Sequence, residues 1–318
     1  MAKESAVSDS PTVSVAVIGI CGAGHIARCL DALEGQIGAP AFEAIVVYDP
    51  QVRDVTAITD RYRNVRFVAN RGQRSPLELA STAVRHAQGD IILLTEDHCV
   101  PRADWVRVMT EASTPDRAAV GGRVEVARGA TFTDWAFYFV DFYRYASPAR
   151  EGPSPSLSVC NACYRREQVD EIQGLWSTYF HETAVNEALR ERFGALWFEP
   201  ESEVTMARHV RLRHALAERY AFGRLFSCTR IGFVSAPRRL YYALLAPTLP
   251  ALLLYRMGRK ALRSRRLTKN YARACVPLVL MTLSWSWGEW LGYLTGRHPK
   301  SLAVAPEIGS VKRTAGEQ

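Results

Sequence analysis

Four short apolar runs, Val13 to Ile18, Phe42 to Tyr48, Val65 to Val68 and Ile91 to Leu94, alternate with segments of helical length. Strands that alternate with helices of ten or so residues predict an α/β fold built as a doubly wound, mostly parallel sheet flanked by helices. The connecting segments agree with this. Helices are expected from His25 to Leu33, from Asp54 to Tyr62, and from Pro76 to Ala87, the last with apolar or small residues at Leu77, Ala80, Val84 and Ala87. Farther along, Ala118 to Val126 reads as another strand and Phe132 to Tyr145 as an aromatic-rich helix. Glu151 to Ser156 reads as a loop, and Thr183 to Phe193 as a helix that Gly194 ends. At 318 residues the chain holds one large α/β domain with an appendage, or two domains.

The fourth apolar run stops at Glu96-Asp97-His98, followed by Cys99-Val100-Pro101. Charged side chains delivered to the carboxyl end of a parallel strand stand where open α/β sheets bind ligands. Two adjacent acids and an imidazole suit a hard divalent cation, and such a cation neutralises a diphosphate. The alternative is a strand followed by a solvated turn.

Charge and hydropathy set the C-terminal part apart. The formal net charge is +8, and eight of the eighteen residues from Arg256 to Arg273 are Lys or Arg. This block lies between two apolar segments, which favours an anionic membrane surface over nucleic acid as its partner. Leu240 to Tyr255 is short for a span and carries Pro247 and Pro250, whereas Ala274 to Gly296 is long enough to cross a bilayer yet contains Glu289. Two full crossings would place the basic loop opposite the main domain and leave that domain outside the cytoplasm. An apolar helical hairpin that re-enters or lies in the membrane plane keeps everything cytoplasmic and tolerates the prolines. That hairpin is the expectation; two true spans, or buried helices of a soluble domain, are the alternatives. Seven cysteines in no dense framework read as reduced thiols, and the lone Cys160-Asn-Ala-Cys163 pair does not predict zinc.

Gly22-Ala-Gly24-His-Ile-Ala27 follows the first strand and fits a dinucleotide-binding glycine turn, with Asp49 closing the next strand. Gly19-Ile20-Cys21 separates that turn from its strand, and an NAD-dependent enzyme would leave the Glu-Asp-His cluster without a task. It stays as the weaker alternative.

From about Val13 to Arg224 the chain resembles the family-2 glycosyltransferases with a GT-A fold. The resemblance is carried by Val13-Ser-Val-Ala-Val-Ile18, by Ile45-Val-Val-Tyr-Asp49, by Glu96-Asp97-His98 with Trp105 beyond it, and by Asn161 to Arg166 with Gly174-Leu-Trp176. His181-Glu182-Thr183, followed by Arg190, Arg192 and Gly194, and Tyr220-Ala-Phe-Gly-Arg224 complete it. The resemblance implies that Asp49 contacts the nucleotide base. It also implies that Glu96 and His98 occupy the two acid positions of the family's DxD metal motif, with Asp97 between them. Either Glu96 and His98 hold the metal, or Glu96 and Asp97 hold it and His98 bonds to phosphate. An imidazole in place of an acid shifts preference from Mg²⁺ towards Mn²⁺ or another transition metal. Arg74-Ser75-Pro76 stands where the family has Ala-Arg-Asn, which makes Arg74 a nucleotide-side candidate.

The family's catalytic aspartate aligns with Thr183, so the resemblance passes the base role to Glu182, with His181 as runner-up; the bland reading of Glu182 is a helix-start acid. His209 matches a position near the metal, and Arg208 and Arg211 beside it are diphosphate candidates. Gly288-Glu-Trp-Leu-Gly-Tyr293 resembles a familiar ending on a late apolar helix, and Trp285, Trp287, Trp290 and Tyr293 have the character of interface anchors. Eight aromatics between Phe132 and Tyr145 read mostly as core, some as an acceptor shelf.

The resulting expectation is a polar tail over 1–12, a GT-A glycosyltransferase domain over 13–236, a membrane-associated helical hairpin over 237–298 and a tail over 299–318. The protein is expected to be an inverting, metal-dependent glycosyltransferase at the cytoplasmic face of the inner membrane. It would move a sugar from a nucleotide diphosphate sugar to a lipid-linked or polysaccharide acceptor. A non-catalytic nucleotide-sugar-binding relative is the other alternative, since the second metal acid and the usual base are both replaced.

Overall fold

The computed structural model describes residues 12–52, 54–71, 75–232, 234–297 and 299. The tails expected over 1–12 and 299–318 therefore lie, apart from Thr12 and Pro299, outside the described residues. A nine-stranded sheet forms the centre of the molecule. Its first half is the one that the apolar runs predict. Strands β1 (Val13–Gly19), β2 (Phe42–Tyr48), β3 (Val65–Ala69) and β4 (Ile91–Glu96) lie in the order β3-β2-β1-β4, all parallel. Helices α1 (Ala23–Glu34), α2 (Thr56–Thr59) and α3 (Pro76–His86) fall between them. Only a single turn of the helix expected over Asp54 to Tyr62 forms.

The second half is mixed. After β5 (Cys99–Pro101), α4 (Trp105–Ala112), β6 (Arg117–Val126) and α5 (Phe132–Phe142) come β7 (Gly152–Pro153), β8 (Ala162–Arg165) and, beyond α6 (Arg166–Asp170), α7 (Gln173–Trp176) and α8 (Glu182–Phe193), the long β9 (Ala195–Met206). β8 inserts antiparallel between β4 and β6, while β9 runs parallel to β6 and pairs antiparallel with β5 and β7. Four pairings are thus parallel and four antiparallel among the described residues, so the sheet as a whole is mixed. A buried polar node joins this half. Asn161 accepts from Trp105 Nε1 at 2.8 Å and from Ser202 Oγ at 3.0 Å, and donates to the Arg123 carbonyl at 2.8 Å. Gly122 leaves room for it, since a Cβ there would lie 2.3 Å from the Ser202 carbonyl.

Alternation along β1 divides the core. Val13, Val15 and Val17 pack with Ile26, Trp105 and the aromatics of α5 on one face, and Ala16 and Ile18 pack with Leu79, Ala83 and Leu189 on the other. The C-terminal part is more than a two-helix hairpin. α9 (Leu212–Ile231) is followed by α10 (Ala236–Leu245), α11 (Leu249–Ala261), α12 (Arg265–Arg273) and α13 (Cys275–Thr295). Met257, Ala261, Leu267, Leu278 and Met281 of these helices belong to the same apolar cluster as β1.

Helices α9 and α13 cross closely through glycines: a Cβ on Gly288 would lie 2.1 Å from the Tyr220 carbonyl oxygen, and one on Gly223 2.2 Å from that of Trp285. One helical stretch among the described residues, Ala236–Ala261, is long and apolar enough to cross a membrane by length and composition, with a mean hydropathy of 1.2 and 22% of that window buried.

Candidate active site

Order reverses in the sheet at β1, which has β2 on one side and β4 on the other, so the carboxyl ends of these strands open onto a crevice. Glu96 ends β4 in register with Ile18 of β1, and His98 lies in the turn before β5. His98 Nδ1 stands 3.3 Å from Glu96 Oε2, and both side chains line a cavity of about 260 Å³. His98 is 2% exposed, yet neither ring nitrogen has a hydrogen-bond partner among the described residues.

Burial, then the Arg208 charge, lowers the His98 pKa to about 3, so the ring is neutral and keeps a lone pair. Burial, then the charges of Asp97 and Glu182, pushes Glu96 up to about 8. A buried carboxyl with so little compensation beside an unpartnered neutral imidazole fits a divalent cation, which would replace the proton that the carboxyl otherwise keeps. His98 also approaches the thiols of Cys99 and Cys160, all ligand atoms lying within 4.8 Å of one another. Burial raises Cys99, and contact with Cys99 followed by burial raises Cys160, so without a cation both are thiols.

Asp97 stands between this pair and the β1–α1 turn. Its Oδ2 accepts from the backbone N–H groups of Ile20 (3.0 Å), Cys21 (2.7 Å) and Gly22 (3.2 Å). Asp97 thus clamps that turn with one oxygen, while Oδ1 is buried without a hydrogen-bond partner among the described residues and the carboxyl lies within 4.8 Å of a His98 ring nitrogen and the Cys21 thiol. The same three bonds count against the dinucleotide reading, because amides that would cradle a pyrophosphate are already donating to a protein carboxylate.

Glu182 opens α8 and lines the cavity with His181 and Thr183. Its Oε2 accepts from the Val159 N–H at 2.8 Å, and burial pushes its pKa up to about 7. His181 is the N-cap residue of α8, half-buried, and burial lowers its pKa. The structure thus brings Glu96, His98, His181, Glu182 and Arg208 to one cavity.

Arg208 is held from below. It pairs with Glu218 at 2.9 Å, Glu218 pairs with Arg219 at 3.0 Å, and Arg219 reaches Asp141. The Phe137 ring lies 4.8 Å from each guanidinium carbon. Burial would push Glu218 up, but Arg208 and Arg219 outweigh it and hold the carboxyl below its ordinary value.

Three expected residues do not join the cavity. His209 has a side chain 73% exposed, with Nδ1 3.0 Å from Asp134 Oδ2. Asp134 belongs to the capping box of α5 and also accepts from the Val210 N–H, so His209 is tied to α5 and is not among the residues that line the cavity. Arg211 is the exposed N-cap residue of α9, outside the cavity lining. Asp49 follows β2 at the carboxyl rim, where its Oδ1 accepts from the Gln51 N–H at 2.9 Å. Arg74 lies outside the described residues.

The sequence reading missed Asp141, Glu218 and Arg219, and it missed His25. Burial, followed by the charges of Arg28, Arg208 and His209, lowers the His25 pKa to about 4. It also treated Trp285 and Tyr293 as surface anchors, whereas Trp285 lines the cavity and Tyr293 is buried. The one signal for this wall was Tyr220 to Arg224, which placed α9 near the site without saying which face it turns inward.

Residues 21–173 match the description Glycosyl transferase family 2. A family-2 glycosyltransferase domain thus spans residues 21–173, just under half of the chain. Solved glycosyltransferase structures share its fold. A mannosyltransferase from Pyrobaculum calidifontis, solved with GDP-Man and Mn²⁺, superposes with a TM-score of 0.52 at 18% identity, over 86% of this chain and 87% of its own. Residues 1–349 of TarS from S. aureus, solved with UDP-GlcNAc, give a TM-score of 0.52 at 12% identity over 90% of this chain and 92% of that one. No curated protein matches the sequence. The fold of this glycosyltransferase is therefore GT-A.

Proposed function

We propose that this glycosyltransferase moves a sugar from a nucleotide diphosphate sugar to a lipid-linked or polysaccharide acceptor with inversion, by a single displacement. The observation that carries this is Glu182 in the same cavity as the Glu96–His98 pair. The acceptor hydroxyl oxygen attacks the anomeric carbon and its proton passes to the Glu182 carboxylate. The bond from the anomeric carbon to the diphosphate breaks, and the nucleoside diphosphate leaves with the electron pair. His181 is the second candidate for the base. Glu96 and His98 hold a divalent cation, Mg²⁺ or Mn²⁺, which when bound offsets charge on the diphosphate. The imidazole favours Mn²⁺, the ion present with GDP-Man in the Pyrobaculum enzyme. Arg208 supplies a further positive charge at the same cavity, and Asp49 stands at the rim for the nucleotide base.

The division at residue 236 is in this reading functional rather than a boundary between separate cores: 13–236 carries the chemistry, and 237–298 carries the membrane-facing surface. On α13, Val276, Leu280, Leu283, Trp287 and Leu294 recur at helical spacing and all are exposed, Trp287 by 57%. With the basic block from Arg256 to Arg273 beside this stripe, the protein docks on the cytoplasmic face of the inner membrane.

Thermal unfolding in the presence of GDP-Man or UDP-GlcNAc, with and without Mn²⁺, tests the donor site. A metal-dependent rise in melting temperature is expected for the wild type and not for Glu96→Ala; an equal rise in both would remove Glu96 from the metal site.

A further inference from the structure

The cavity changes character across its width. One side is polar: Glu96 and His98 from the sheet, with Glu182 and Arg208 near them. The C-terminal half lines the cavity too, first with Glu218 and Arg219 of α9 and then with four apolar residues, Phe222, Leu225 and Phe226 of α9 and Trp285 of α13. These four are only partly buried, so the core does not consume their apolar surface. The close crossing of α9 and α13 at Gly223 and Gly288 sets Trp285 against α9, with its ring centroid 6.0 Å from that of Phe226.

These four side chains are almost wholly apolar, with the Arg219 guanidinium 5.3 Å from the Phe222 ring at the polar end of the wall. Their one polar side-chain atom, the indole nitrogen of Trp285, already donates to Glu289 Oε2 at 2.9 Å. A glycan laid against these side chains would bury hydroxyls without partners, whereas an alkyl or prenyl chain gains by leaving water. The helices that form the wall also lead outward. On α13, Trp285 shares a stripe with Leu278 and Met281, which are buried, and the opposite stripe through Leu283 and Trp287 is exposed. The neighbouring basic block gives that surface the charge an anionic lipid headgroup requires.

We infer that the acceptor is an amphiphile whose apolar chain lies on Phe222, Leu225, Phe226 and Trp285 while its polar head reaches Glu182. This rests on the reading of Glu182 as the base and selects the lipid-linked acceptor over the polysaccharide.

The test uses cis-parinaric acid, an anionic chain whose fluorescence rises in apolar sites, with the full-length protein. Saturable binding is expected, displaced by farnesyl phosphate and not by maltopentaose. Trp285→Ala and Phe226→Ala should each weaken it about tenfold, the scale of one lost large apolar contact. Trp287→Ala, on the outer stripe, should leave it unchanged. If Trp285→Ala fails to fold, Leu225→Asn carries the same test, because Leu225 is only partly buried. Unchanged affinity in the wall variants, loss in Trp287→Ala alone, or displacement by maltopentaose would overturn the inference.

Release of nucleoside diphosphate from donor alone, compared between wild type and Glu182→Gln, separates the two claims. A Glu182-dependent rate with unaltered parinarate affinity in the wall variants sinks only the chain site. Parinarate binding that follows the wall, together with a rate indifferent to Glu182, sinks the catalytic reading and with it the assignment of the head group.

Discussion

Glu182 carries the clearest consequence at the scale of single residues. A base acts in its deprotonated form, and burial places the Glu182 pKa at about 7. The rate kcat/KM is expected to climb about tenfold per pH unit below that value and to level above it. Glu182→Gln should lower turnover by about 10² to 10⁴ and abolish that limb, as read by nucleoside diphosphate release. Stability runs the other way. A carboxyl raised from 4.5 to about 7 favours the folded state fully below 4.5, and that contribution is lost as pH rises to about 7. Thermal unfolding of wild type relative to Glu182→Gln should therefore worsen between pH 5 and pH 8.

Asp97 provides a contrast. Asp97→Ala leaves three backbone donors of the β1–α1 turn without their acceptor, and about 3 kcal/mol of destabilisation is expected in denaturant unfolding. Glu96→Gln should leave the metal-free protein at least as stable as wild type above about pH 8, where the buried carboxyl would otherwise ionise, and nearly unchanged below it, where both side chains are neutral. Glu96 and His98 were legible because a strand end delivers neighbouring side chains to one rim of the sheet. The use of Asp97 by the β1–α1 turn was not, because its three donors lie 75 to 77 residues earlier in the chain.

Helix α9 and its crossing with α13 decide most at the scale of elements. The first half of the sheet could be read from apolar runs because its parallel strands are buried on both faces. β9 could not, since Trp197 to Thr205 mixes charged and apolar residues across a strand with a register shift. The wall of the cavity was equally hidden. Arg208, Glu218 and Arg219 are close in sequence, but Asp141 and Phe137 come from α5, roughly seventy residues earlier, and only packing brings them together. Gly288→Ala tests the crossing directly. Its Cβ would meet the backbone of α9 rather than a movable side chain, so destabilisation of about 3 kcal/mol is expected in denaturant unfolding. A change below about 0.5 kcal/mol would show that the two helices do not approach as described.

The whole molecule pairs a sheet that gathers the polar groups with a C-terminal face that is apolar and basic. Flotation with vesicles tests the docking of that face. The protein should rise with vesicles containing phosphatidylglycerol at low salt, be released in part as salt screens the Arg256 to Arg273 block, and bind neutral phosphatidylcholine weakly. Leu283→Ser with Trp287→Ser should reduce flotation while leaving the melting temperature within a degree or two, because both side chains are exposed. Recovery of the wild type in the unbound fraction with both vesicle types would refute the membrane reading.

Strand periodicity and the order of its motifs were enough, by themselves, to determine the α/β class and the family, because these depend on neighbours in the chain. The tertiary structure alone decided which ionisable groups share a cavity. It set Asp97 beneath the glycine turn, carried His209 to the surface beside Asp134 and turned Trp285 inward. The physical reason is that burial and charge pairing depend on contacts between distant segments, and a helix or strand pattern fixes the faces of an element without saying what each face will meet.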